Sequence, residues 1–185
     1  MFSTYLELGV DHILDPQAYD HILFVFALSI IYPLKDWKRV LILVTAFTIG
    51  HSLTLALSVF KIVQVNPDLI EFLIPITIIL TALSNIFSYS KHGRNHSFNY
   101  LLALIFGFVH GLGFSNYLSA ILGKEESIFG PLFSFNLGVE LGQILIVLAT
   151  LVFSYVMTQL FKLPQKMFIL SMSILTIVIS LFLLF

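Results

Sequence analysis

The chain has no cysteine among its 185 residues, which excludes a disulfide framework and any thiolate metal site. Without thiolates, Cu(I) and cluster iron lose their usual ligands, so a metal would have to be held by imidazole, carboxylate or amide groups. Charge is scarce as well, with 10% of residues charged and a formal net charge of -1. Its nine Lys and Arg are scattered and form no basic face able to neutralise a phosphate backbone, so nucleic acid is not an expected partner. The opening MFSTYLELGVDH lacks the positive and apolar regions of a cleavable signal peptide and is read as part of the mature protein. No low-complexity linker separates a second domain.

What is abundant is apolar. The chain is 58% hydrophobic with 19 Phe and a mean hydropathy of +1.01, far from the makeup of a soluble domain. A bilayer core of about 30 Å needs about 20 apolar residues per helix. Six stretches approach that, near 18–34, 38–60, 68–88, 98–122, 129–160 and 166–185. The first is short, and the fifth is long enough that it must tilt, break or project. The expected fold is therefore all-α, a single transmembrane domain over residues 1–185 built as a six-helix bundle with an interfacial N-terminal segment. Lys35, Lys38, Arg39, Lys91, Arg94, Lys162 and Lys166 fall in the first, third and fifth connections, against Lys61 and Lys124 in the second and fourth. Positive residues stay in short cytoplasmic loops, which places both termini outside. His92 and His96 in SKHGRNHS then read as a wet cytoplasmic loop.

Polar residues within the apolar stretches carry the chemistry, because each ionisable group at membrane depth needs a partner or a function. The segment DHILDPQAYDHIL repeats DHIL, with His12 in the first copy and Asp20 and His21 in the second. In FTIGHSLTLAL, Thr45, Thr48, His51 and Ser52 share a helical face at spacings of three and four. His110 lies among glycines in FGFVHGLGFS, and Asn136, Glu140 and Gln143 stripe one face of FNLGVELGQ. Counted at 1.5 Å per residue, His51, His110 and Glu140 lie about 13 to 18 Å from the outer ends. Imidazoles with carboxylates suit a divalent ion of the Ni, Co or Zn type. The expected ligands are His12, Asp20, His21, His51, His110 and Glu140, supported by Asn136, Gln143, Ser52 and Thr48. Each has a plainer reading, such as a structural histidine bonded to a carbonyl or an Asp20 that only caps a helix. Gly107 with Gly111 and Gly138 with Gly142 form G-x-x-x-G pairs that let helices approach closely. The second pair lies opposite the Asn136–Glu140 stripe and is expected to meet a different neighbour.

In order, DHILF, FTIGHSLTLAL, FGFVHGLGFS and FNLGVELGQ resemble the HupE/UreJ family of small membrane proteins, regarded as nickel or cobalt permeases that accompany hydrogenase and urease systems. The resemblance runs over about residues 8 to 146. It implies a multi-pass protein of the bacterial inner (cytoplasmic) membrane, and it maps the family's polar residues onto His12, Asp20, His21, His51, His110, Asn136, Glu140 and Gln143. This chain has DPQAYDH where the family usually places a glycine shortly before the Asp-His pair.

Two functions fit these residues. In a permease, His12, Asp20 and His21 capture a divalent cation outside and pass it to His51, His110 and Glu140, with a cytoplasmic opening beside Asn85 and Gln143. No inverted repeat of the kind common in transporters is visible, which leaves a role for a homo-oligomer. The alternative is an intramembrane metal-dependent hydrolase acting on a lipid or an embedded peptide, with a metal-activated water and Glu140 or Asp20 as general base. Ser52 and Ser115 are nucleophiles only if a base lies beside them. A non-transporting assembly factor is a third reading.

Overall fold

In the computed structural model, which describes residues 2–17, 19–88, 96–122 and 127–184, the described residues form helices and turns with no strand. Helix α1 (Phe2–Leu14) stops at an Asx turn, where the Gln17 N–H donates to Asp15 Oδ1 at 2.8 Å and Pro16 blocks helix continuation. Helix α2 (Asp20–Ser29) gives way to a turn ahead of Pro33, because the residue before a proline is pushed out of the helical region. Helices α3 (Trp37–Val59), α4 (Pro67–Ser88), α5 (His96–Gly113), α6 (Ser115–Leu122), α7 (Phe129–Tyr155) and α8 (Gln165–Phe182) follow. A 3-10 turn, Leu34–Asp36, leads into α3, and a π turn, Val156–Leu160, extends α7. His92 and the side chain of His96 lie outside the described residues.

Four helical stretches among the described residues are long and apolar enough to cross a membrane: Leu34–Val59, Pro67–Phe87, Phe129–Leu160 and Gln165–Phe182. A fifth is added if α5 and α6, bent by 54° at Phe114, count as one broken span. The first of the six expected spans is the one that falls short. Helix α2 has ten residues, about 15 Å of rise against a core of about 30 Å. The long fifth stretch does not break, since α7 and its π turn run on for 32 residues.

The N-terminal segment, expected along the interface, is a helix packed against α7. Helix α1 runs parallel to α7, and a Cβ on Gly9 would overlap the Phe135 carbonyl while one on Gly138 would overlap that of Leu6. Gly142 meets Ile13 in the same seam. Helices α3 and α5 close in the same way, with Gly107 against the Phe47 carbonyl and Gly111 against that of His51. These small residues permit backbone contact where lipid supplies no hydrophobic drive for helix association. Around them Phe24, Phe47, Phe135 and Leu118 are fully buried, while Ile42, Ile49, Leu148 and Val152 point outward, as side chains facing lipid do.

Candidate metal centre

The two glycine seams decide where the imidazoles go. The α1–α7 seam brings His12 inward, and the α3–α5 seam holds His51 and His110 on adjoining helices. Helix α2 contributes His21 from its first turn. The four rings form one cluster, with centroids 4.5 Å apart for His12 and His21, 5.9 Å for His12 and His51, 6.1 Å for His21 and His51, and 5.3 Å for His21 and His110. Two trios have ligand atoms mutually within 4.8 Å: His12, His21 and His51, and Asp20, His21 and His110. His21 belongs to both.

Hydrogen bonding fixes which nitrogens are left for a ligand. His21 Nδ1 lies 3.2 Å from Asp20 Oδ1, a pairing that places the ring proton on Nδ1 and the lone pair on Nε2. Thr77 spends its one hydroxyl proton on the Ile74 carbonyl at 2.7 Å. At His110 Nε2, 3.0 Å away, the Thr77 oxygen must therefore accept, and the His110 lone pair falls on Nδ1. His21 Nε2 and His110 Nδ1 are both buried without a hydrogen-bond partner, as are His12 Nε2 and both nitrogens of His51. Asn136 sits beside His51, with its Nδ2 donating to the Leu132 carbonyl at 2.8 Å. Leaving a buried polar group unpaired costs about 1–3 kcal/mol, and five such nitrogens in one cluster are hard to reconcile with structural histidines. A divalent cation would satisfy them, and the donor set of imidazoles plus one carboxylate fits it.

His12, Asp20, His21 and His110, with the fully buried His51 behind them, line an open cavity of about 710 Å³. Its mouth carries Asp11, Asp15 and Glu71, all exposed, a local negative field that concentrates cations. Phe114 closes one side, its ring 3.8 Å from that of His12. Neither Glu71 nor Phe114 carries a signal in the sequence that marks it for this site. Thr77, in a stripe with Thr81, Ser84 and Asn85, reads in the sequence as helix glue.

Glu140 does not join either trio. Its Oε1 accepts a hydrogen bond from Thr45 at 2.6 Å, and its Oε2 has no partner. It lines a lateral groove between α3 and α7 together with Thr48, Ser52 and Asn136. Gln143, one turn further along, is fully buried and accepts from Thr48 at 2.9 Å. Ser115 caps back onto the Leu112 carbonyl. Glu140→Gln is accordingly expected to leave the metal content of the purified protein unchanged, as measured by elemental analysis. A loss matching that of a histidine variant would put Glu140 among the ligands.

The full length of the chain, residues 1–185, matches the family described as HupE / UreJ protein. The chain belongs to the HupE/UreJ family. The match extends beyond the residues that carry the motifs, into α8. No curated protein and no solved structure gives a significant match. In this HupE/UreJ protein, then, four histidines and Asp20 meet in one cluster while Glu140 faces elsewhere.

Proposed function

We propose that this HupE/UreJ protein is a permease for a divalent transition metal of the nickel, cobalt or zinc type, the metal being cargo taken from the open cavity. The observation that carries this reading is the convergence of four imidazoles and Asp20, all but His51 lining an acid-rimmed cavity, with their lone-pair nitrogens buried and unpartnered. His12, His21 and His51 would hold the ion, with His110 and Asp20 as the neighbouring trio through which it arrives or leaves. Two trios sharing one histidine suit a cargo ion, because a cation passed between adjacent sites need not be trapped in either.

With both termini outside, as the distribution of Lys and Arg favours, the cavity faces the extracytoplasmic side and transport runs inward. The hydrolase alternative retains Asp20 as its candidate base. Glu140, its other candidate and the last stop of the permease route expected from the sequence, is engaged by Thr45 and lies in neither trio, so both readings proceed without it. A homo-oligomer and a bacterial inner-membrane location remain part of the proposal.

The test is metal analysis of the purified protein, unaltered and as His51→Ala, with anomalous scattering to identify the ion. One bound divalent ion that disappears in the variant is the expected result. Equal metal in both would remove His51 from the site.

A further inference from the structure

A second cavity, of about 260 Å³, lies between α2, α4 and α5 at the opposite end of these helices from the acid-lined mouth. The two cavities lie in line along the same three helices. Going down α2, the outer one ends at His21 and the inner one begins at Leu28; on α4 the corresponding residues are Ile74 and Leu80; on α5 they are His110 and Phe106. Between them lies a thin apolar layer. Phe24, fully buried, has its ring centroid 5.0 Å from that of His110, 4.8 Å from Phe47 and 6.1 Å from Phe106.

The inner cavity has mostly apolar walls into which a few polar side chains project. Thr81, Ser84, Asn85, Asn99 and Tyr32 line it. Asn85 reaches across to α2, its Nδ2 donating to the Ala27 carbonyl at 2.6 Å, and Asn99 Nδ2 donates to the Tyr32 hydroxyl at 3.3 Å. Thr81 donates its proton to the Thr77 carbonyl at 2.8 Å, so its oxygen keeps its lone pairs toward the cavity. Successive polar positions on α4, Thr77, Thr81 and Asn85, are each four residues apart, one column rising about 6 Å per step. Thr77 touches His110 and Thr81 lines the inner cavity. Oxygen and amide donors of this kind bind a divalent cation more weakly than imidazoles do, which suits release.

We infer that the inner cavity is the exit half of the cargo path, that Phe24 and Phe106 form the gate separating it from the imidazole cluster, and that the α4 column carries the ion past that gate. This deepens the permease reading and rests on it. With the outer cavity open and the aromatic layer closed, the molecule stands in an outward-open arrangement. Moving the ion across requires the Phe24 and Phe106 rings to part, a side-chain motion confined to one helical turn.

The absence of cysteine makes the test direct. Ser84→Cys and, separately, Tyr117→Cys are placed in the full chain, reconstituted in vesicles, and exposed on one face at a time to a membrane-impermeant maleimide. Ser84→Cys should react only from the face bearing the Leu34–Asp36 turn, and Tyr117→Cys only from the other. Failure of Ser84→Cys to react from that face, also when Phe106→Ala is added, overturns the proposal and leaves the cavity a lipid-facing dent. Thr81→Val supplies a second readout, since its methyl replaces a hydroxyl whose proton only back-bonds its own helix. Zn²⁺ uptake should become about tenfold slower while equilibrium Zn²⁺ binding stays the same; uptake at the unaltered rate overturns the role of the α4 column. Labelling needs no metal, so it stands apart from the permease reading, which Zn²⁺ uptake by the unaltered protein decides.

Discussion

His21→Ala is expected to lower the affinity of the purified protein for Zn²⁺ or Ni²⁺ by at least about 100-fold, beyond what loss of a supporting residue causes. His21 is the residue common to both trios, so no rearrangement of the remaining three histidines replaces it. Its Nε2 lone pair is set by Asp20 on the other side of the ring. Asp20→Asn should therefore have a graded effect, about tenfold, because the amide oxygen still accepts from Nδ1–H but contributes no charge. Titration calorimetry on the two variants gives the order, and thermal unfolding with and without metal gives the control. Removing the ring also releases the Asp20 bond and lowers metal-free stability on that account, so the deciding comparison is with metal added: stabilisation by Zn²⁺ should be lost in His21→Ala, whereas a purely structural histidine would leave it in place. Wild-type affinity in His21→Ala would remove the imidazole cluster from consideration as a metal site.

Much of this arrangement is legible in the sequence because hydropathy and helical periodicity are local properties. The apolar runs that become α3, α4, α7 and α8 and the histidines within DHILF, GHS and VHG can be read without knowing any tertiary contact. So can the G-x-x-x-G pairs, and the helical wheel correctly turns Gly138 and Gly142 away from the Asn136 stripe toward another neighbour. What periodicity does not give is the identity of that neighbour. Helix α1 has 13 residues, too few to signal a span, and Gly9 acquires meaning only once it is seated on Phe135.

Glu140 shows the same limit at a single residue. The wheel places it on the face of Asn136, and Asn136 does lie beside His51. But a residue four positions on lies about 6 Å further along the axis, and there α3 presents Thr45 instead of an imidazole. A shared face fixes a direction, and the helix packed opposite fixes the partner. Thr77 is the converse, a residue that looks like packing until the proton count at His110 gives it a role.

Gly107→Val is expected to have the largest effect on the fold, and Gly138→Val a comparably large but more selective one. In both, the added Cβ would overlap a backbone carbonyl of the neighbouring helix, Phe47 or Leu6, and not the movable end of a side chain. The helices must separate, and overpacking of this kind costs about 1–3 kcal/mol, more where the backbone has to move. For Gly107 the separated pair is α3 and α5, the most extensive helix contact among the described residues and the one that carries His51 and His110. Gly107→Val should therefore give little monodisperse protein on size-exclusion chromatography. For Gly138 the separated pair is α1 and α7, and α1 delivers His12. That variant should remain folded in α2 to α5 yet bind metal as weakly as His12→Ala, and the double variant should be no worse than either, since both remove the same ligand. Gly130→Ala is the control, because a Cβ there meets nothing within 4 Å. Strictly additive losses for Gly138→Val and His12→Ala would show that α1 does not bring His12 to the cluster by way of this seam.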